Sequence, residues 1–448
     1  MSIELIAILM GGVTLLLLIT GLPLAFILGA TGIGFVLLLE GVHGLAMPAF
    51  TIWGIMNTFV FIAVPLFIFM GCMLERSGMA DELFEMIYRW AGPVRGGLAM
   101  GIVGICVIFA AMAGTSGAAT VSLGLIAIPS LIKRGYDKSM VTGAIQAGGA
   151  LGFLIPPSAV MIIYGMIAKV SVGRLFAAGV FPGVILASLF IAYIGVRCLL
   201  QPKLGPAIPP EERTFTLKQK IVSSRALVLP GLLIVGVLGT IAAGICSPTE
   251  ASAIGAAGAI LVAAIHRRLS LANFSEAIFR TGRLMGMIIW VAFGALVYSA
   301  IFDYLGGTEL IENLFASLSL GPMGILIIIQ LSFFLLGMFL DDTAILFVCM
   351  PIYIPIIAHV GFDPVWFGVL YVINMQMAYL TPPFGYNLFY MKGIATDLFS
   401  SGEIPSEITL GDIYRSVIPF VIIQAVGLAL VVLFPQLALW LPNKIFGM

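Results

Sequence analysis

Stretches apolar enough to enter a lipid bilayer recur along this chain from one end to the other. A helix rises about 1.5 Å per residue, so crossing some 30 Å of hydrocarbon takes roughly 20 largely apolar residues. Residues 5–19, 186–200 and 417–433 are three such runs. Charged residues hold only 9% of the 448 positions and hydrophobic ones 61%. Soluble domains carry about 25% charged residues. Runs of this kind match membrane-spanning helices, and a soluble protein of this sequence would aggregate. The chain therefore reads as an all-α polytopic membrane protein.

Several other readings fall away early. A secretory leader begins with basic residues and ends at a small-residue cleavage site. Here Glu4 stands at the start and apolar sequence continues past Gly21-Leu22-Pro23, so a retained first helix is expected. A formal net charge of zero excludes nucleic acid as a partner. No Walker loop, GxGxxG or HExxH is present, so nothing indicates ATP, dinucleotide or zinc-protease chemistry. The five cysteines lie in or at the ends of apolar segments without a CxxC pair, and read as small buried hydrophobes.

Full crossings are expected near residues 2–20, 23–40, 51–74, 140–171, 176–200, 226–246, 250–266, 284–303, 365–395 and 413–440. Two more apolar stretches, 97–132 and 322–358, are interrupted near their middles. Cytoplasmic loops carry an excess of Lys and Arg. With the N-terminus outside and each interrupted stretch entering and leaving on one side, the 21 basic residues divide 18 inside to 3 outside, the three being Lys169, Arg174 and Lys444. Single crossings would scatter them. The interrupted stretches thus read as re-entrant hairpins.

A shift of 226 residues registers the second half on the first without a gap. Pro129 meets Pro355, Asp137 meets Asp363, Pro156-Pro157 meet Pro382-Pro383, and Tyr164 meets Tyr390. This divides the chain into a first repeat (1–200), a charged, proline-rich cytoplasmic linker (201–225) and a second repeat (226–448). Five full crossings per repeat is an odd number, so the second copy must lie upside down. Opposed copies can expose one midplane site alternately to each side, as in many secondary transporters.

Four breaks in matched positions are the candidate site. Gly114-Thr115-Ser116-Gly117 interrupts the first hairpin, and Asp341-Asp342-Thr343 the second. Backbone unwinds at membrane depth only where protein or a wet cavity shelters it. An Asp at that depth costs at least about 2.5 kcal/mol, so both carboxylates need compensation. The other two breaks, Ile155-Pro156-Pro157-Ser158 and Thr381-Pro382-Pro383-Phe384-Gly385, each remove two N–H donors in mid-span. The freed carbonyls, with hydroxyls and carboxylates, are ligands a small hard cation such as Na⁺ accepts. The half-helices that follow, Asn387 among their first residues, offer N–H groups to an anionic solute. Each repeat is expected to supply one cation pocket, with Gly114, Thr115, Ser116, Ile155 and Pro156 in the first. Asp341, Asp342, Thr343, Thr381 and Pro382 form the second. The solute is expected between them, against Ser116, Gly117, Pro157, Ser158, Thr343, Pro383, Phe384, Gly385 and Asn387. Gln146 and Asn374 read as interhelical hydrogen bonds, and no arginine reaches either pocket. Residues 79–90 and 308–318 read as short surface arms.

Residues 114–120, 155–158, 340–344 and 381–385, with the chain's length and linker, resemble the large membrane subunit of the tripartite ATP-independent periplasmic (TRAP) transporters. The resemblance implies an elevator-type carrier of the ion-transporter superfamily in a bacterial inner membrane, with a periplasmic N-terminus. It implies Na⁺-driven import of a small organic acid, a separate small four-helix membrane subunit, and a periplasmic substrate-binding protein. On this resemblance the tips and proline breaks become the Na⁺ and substrate positions. Two alternatives stay open: a stand-alone Na⁺/dicarboxylate-type symporter, and an integral membrane hydrolase built on Asp341-Asp342.

Overall fold

The apolar segments fold as helices, and the polar breaks between them set where each helix stops. The computed structural model describes residues 2–447 except 115, 213–214, 318–319 and 384. Among the described residues the first half holds α1 (Ile3–Ile19), α2 (Leu24–Met56), α3 (Phe59–Glu75), α4 (Met79–Ala91), α5 (Gly97–Ala113) and α6 (Ser116–Lys133). It continues with α7 (Lys138–Ala150), α8 (Ala159–Ala168) and α9 (Val172–Leu200). The second half holds α10 (Leu217–Ala242), α11 (Pro248–Ile265), α12 (Leu271–Tyr304), α13 (Gly307–Ser317), α14 (Pro322–Gly337) and α15 (Asp342–Val360). After these come α16 (Pro364–Tyr379), α17 (Tyr386–Ser400), α18 (Leu410–Leu433) and α19 (Gln436–Phe446).

Eight of these helices are long and apolar enough to cross a bilayer alone, or nine if the bent pair α3–α4 counts as one span. Six of the eight match expected crossings, while the other two, α6 and α15, are hairpin arms. Of the four remaining expected crossings, α1 is shorter, α3 counts only together with α4, and α7/α8 and α16/α17 each divide one crossing into two short pieces. Four boundaries also differ from expectation. The third crossing begins at Phe59 rather than residue 51, because Asn57 and Thr58 end the preceding helix: their side chains donate to the carbonyls of Trp53 and Gly54. The helix expected at 23–40 runs on through a 3₁₀ turn (Gly41–Leu45) to Met56. The crossing expected at 284–303 starts thirteen residues earlier, at Leu271, where Ser270 caps it. The linker ends at residue 216 rather than 225, since Thr216 and Gln219 form a capping box that starts α10.

What remains of the linker is pinned down. Gly96 N–H donates to the Gly205 carbonyl (2.8 Å), Ile208 N–H to Gly92 (2.9 Å) and Asp137 N–H to Leu204 (3.0 Å). These bonds tie it to the base of the α5–α6 hairpin and to α4. The apolar face of α4 buries Met79, Leu83, Phe84 and Met86 while Glu85 and Arg89 pair on its outer face.

Ser116 and Lys138 open α6 and α7, and adding 226 gives Asp342 and Pro364, which open α15 and α16. Contacts between the halves also come in matched pairs. The α2–α12 crossing has α3–α11 as its counterpart, α6–α17 has α8–α15, and α7–α18 has α9–α16. The two helices that carry the proline breaks, α7 and α16, are buried almost all round. Large apolar side chains such as Ile8, Leu38, Leu199 and Ile422 lie exposed on the periphery, as a lipid-facing belt requires.

The α2–α12 crossing depends on small residues that bring two backbones together. A Cβ at Gly294 would sit 2.1 Å from the Ala25 carbonyl oxygen, and one at Gly29 would lie 3.6 Å from the Gly294 Cα. Gly294→Leu is therefore expected to destabilise the protein by about 1–3 kcal/mol or more through overpacking. Gly282→Ala on the same helix meets no atom within 4 Å and should be neutral or stabilising. Thermal unfolding in detergent compares the two. Equal melting temperatures would contradict the assigned crossing.

Candidate functional site

The first hairpin turns at Gly114, whose φ of +64° lies in the left-handed region that favours glycine. That residue also abuts the first proline break. A Cβ there would lie 2.9 Å from the Pro157 carbonyl oxygen, and Ala159 N–H donates to the Gly114 carbonyl at 3.4 Å. Tip and break thus form one joint. Beyond the tip, Ser116 Oγ donates to Asn387 Oδ1 (2.8 Å), and Asn387 Nδ2 donates to the Gln146 carbonyl (3.3 Å). The first tip is thereby tied to α17 of the other half.

The second hairpin turns through Leu340 and Asp341 into α15. Asp341 has the extended backbone of an N-cap, yet its side chain makes no capping bond. Asp342 is 4% exposed. The Tyr379 hydroxyl lies 2.6 Å from Asp342 Oδ1 and 3.2 Å from Asp341 Oδ1, and it has one proton for two carboxylates. Tyr371 O–H donates to the Asp342 main-chain carbonyl (2.6 Å), and Asp341 Oδ2 is buried without a partner. A carboxylate in this setting needs a proton or a cation beside it.

Both tips line one cavity of about 150 Å³. Of the expected residues, Gly114, Ser116, Gly117, Asp341, Asp342 and Thr343 face it. Pro157 does not line it, and its carbonyl abuts Gly114. Ser158 is fully buried and accepts from Met161 N–H as the cap of α8. Ile155 packs instead on Gly183 of α9, and Pro156 faces Phe176 and Leu238 in a separate apolar pocket. Thr381 Oγ1 donates to the Met377 carbonyl. Pro382 and Pro383 do not line the cavity, Gly385 is buried against the Tyr379 and Thr381 carbonyls, and Asn387 is spoken for by Ser116. Thr115 and Phe384 lie outside the described residues. Among the described residues the polar groups at the second tip itself carry oxygen: two carboxylates, a threonine hydroxyl and the Tyr379 phenol. That donor set fits a hard monovalent cation.

The structure overturns one sequence expectation here: Arg280 does reach the cavity, and Glu75 joins Asp341 and Asp342 as a third carboxylate lining it. Arg280 Nη1 pairs with Glu75 Oε2 at 2.7 Å, and both line the same space. Arg280 was missed because α12 was expected to start at residue 284, which left it in a loop, and Glu75 because the third crossing was expected to end at residue 74. Tyr379 and Tyr390 were missed because an aromatic in an apolar run reads as core. The paired Glu276 and Arg280, one turn apart and set opposite Glu75-Arg76, were the available signal. Gln146 and Asn374 make interhelical bonds, to Ser416 Oγ and to Gln330 Oε1.

Comparison with known proteins places these features in a family. Residues 12–437 match the model of the "Tripartite ATP-independent periplasmic transporter, DctM component". The C4-dicarboxylate TRAP transporter large permease protein of Pseudomonas aeruginosa is 31% identical over 386 residues, covering 86% of each chain. The ectoine/5-hydroxyectoine TRAP transporter large permease protein of Ruegeria pomeroyi is 30% identical, again over 86% of each. Among solved structures, the YdaH transporter of Alcanivorax borkumensis superposes with a TM-score of 0.64 over 98% of both chains at 16% identity, a likeness of fold. The chain is a multi-pass membrane transport protein rather than an enzyme, and it belongs to the TRAP transporter family as its DctM, or large permease, component.

Proposed function

We propose that this chain is the translocating subunit of a Na⁺-driven importer of small organic anions. The reading rests chiefly on Asp341 and Asp342, two adjacent carboxylates at a hairpin tip with one tyrosine hydroxyl between them. Na⁺ held by Asp341, Asp342 and Thr343 neutralises the tip, and the gradient of that ion supplies the work. A second Na⁺ lies at the first tip with Ser116, where the helix unwinds at Gly114. The cation offsets the charge of Asp341 and Asp342, which would otherwise repel an anion from the cavity they help to line. The two halves lie inverted in the bacterial inner membrane, the N-terminus is periplasmic, and the hairpins are re-entrant from opposite faces. The hairpin-bearing core moves as an elevator against a frame that includes α2, α3, α11 and α12. A periplasmic binding protein delivers the cargo, and a small four-helix membrane subunit is a separate partner.

The cargo itself is a small organic acid. The names of the two relatives include a dicarboxylate and a zwitterion, so family membership leaves the solute open.

Asp342→Asn is expected to weaken Na⁺-dependent uptake by roughly ten- to a hundredfold, the worth of one charge-assisted contact, while the protein still inserts and purifies. Uptake by the reconstituted transporter across a range of sodium concentrations measures this, and an unchanged sodium dependence rejects the assignment.

Cysteines at Lys133 and His359 report on the inversion. The two positions are 226 apart, and both are exposed at the ends of hairpin arms. In a Cys246→Ser background, a membrane-impermeant maleimide should label Lys133→Cys from the cytoplasmic face and His359→Cys from the periplasmic face. Labelling of both from one face would remove the alternating-access reading.

A further inference from the structure

The cavity walls hold a charge arrangement that the sodium reading leaves unused. Arg280 is the one basic side chain among the described residues that line it, and it shares the space with Glu75, Asp341 and Asp342. The pair is lopsided: the Arg280 side chain is 34% exposed, whereas Glu75 is 10% exposed behind it. Glu75 engages Nη1, and a guanidinium presents five N–H donors in a planar fork. Leu284, Met287 and Ile288 of α12 and Ile68 of α3 make the adjoining wall apolar, which strengthens an ionic contact by excluding water. The same cavity is lined by both hairpin tips, through Ser116 and Asp342 among others.

A structural explanation for the pair is weaker than it first looks. Arg76 and Glu276 already join α3 to α12 one turn away, and a Met70–Gly255 approach holds α3 against α11. The frame has other fastenings. A carboxylate set behind an accessible guanidinium, inside a cavity, is the arrangement of a counter-ion that keeps an anion site closed until cargo comes.

We propose that Arg280 is the anion-recognising residue of this transporter and that Glu75 is its internal counter-ion. The carboxylate or sulfonate of the cargo takes the outward edge of the guanidinium and displaces Glu75 from it. Arginine suits this role because its fork binds a planar or trigonal oxyanion through two parallel N–H···O bonds. The remainder of the cargo then lies toward the tips, within reach of Ser116 and of the cation beside Asp342. Specificity follows from the geometry: an anionic end group is required and a neutral one is excluded, because Glu75 is released only in exchange for another negative charge. This inference rests on the proposed transport of organic anions and assigns the group that reads the anion.

The test is ligand-induced thermal stabilisation of the full chain in lipid nanodiscs, scored as half-saturating concentration. The probes are succinate, isethionate, N-acetylneuraminate, the zwitterion ectoine, and sodium sulfate as an inorganic anion, all at fixed Na⁺. At least one organic anion should stabilise the wild-type protein. Arg280→Gln should raise its half-saturating concentration roughly tenfold or more, and Arg280→Lys, which keeps the charge and loses the fork, should fall between. Glu75→Gln should lower it, since the competing carboxylate is gone. The double variant Glu75→Gln/Arg280→Gln removes both charges, guards against an unpaired buried group, and should melt near wild type without responding to the anion. Stabilisation by sodium itself, measured against choline chloride, should survive Arg280→Gln and disappear in Asp342→Asn. An unaltered half-saturating concentration in Arg280→Gln overturns the proposal, as does a response to sulfate alone or to none of the organic anions. Loss of the sodium response in the wild-type protein would instead reject the sodium reading and leave the arginine comparison standing.

Discussion

Two carboxylates on adjacent residues, buried at the turn of a helical hairpin and served by a single hydroxyl, are the constraint around which this protein is arranged. Asp341 and Asp342 cannot both remain charged in an apolar interior without a positive partner. Tyr379 supplies one proton to the pair, and Asp341 Oδ2 is left with none. The chain carries this cost at a site where helices stop, where backbone is open, and where a cavity gives access. A permease that uses an ion gradient needs a place that is unfavourable alone and favourable with its ion, and the second hairpin tip has that character.

The surrounding fold keeps the unwound backbone sheltered. Gly114 fits so closely against Pro157 that a Cβ at the tip would press on the carbonyl of the first proline break. Ser116 then reaches across to Asn387, which in turn bonds the Gln146 carbonyl, so the first tip is anchored in the other half of the molecule. Tyr371 and Tyr379 do the corresponding work at the second tip from α16. Each hairpin is thus held by a broken helix, and the inner arm of each packs on the half-helix of the opposite repeat. The two tips are joined through shared contacts, as the proposed coupling of ion to cargo requires.

The architecture was largely legible because it is written in features that survive without tertiary context. Helix against break is decided by apolar run length and by proline, and a repeat at a constant shift of 226 needs no packing to be seen. The breaks at Gly114, Pro156, Asp341 and Pro382 were found for that reason. Less legible was everything that depends on which way a side chain points. Ile155 and Pro156 stood in the expected cation pocket by proximity in sequence, yet they face α9, because a chain leaving a helix through two prolines turns successive side chains to different walls. Arg280 was hidden by an uncertain helix start, since a charged first turn on a long apolar helix reads as a loop. Tyr379 was hidden by its own amphipathic nature: a ring buried among apolar residues declares its hydroxyl only when a carboxylate is found beside it.

The proposed coupling depends on a monovalent cation that compensates the second hairpin tip. The most direct measurement is a pair of high-resolution maps of the protein in lipid, one in sodium chloride and one in choline chloride. Density beside Asp341 Oδ2, within coordinating distance of Asp342 and Thr343, is expected in sodium and should be gone in choline. Identical maps, with the two carboxylates bound only to Tyr379 in both salts, would contradict it.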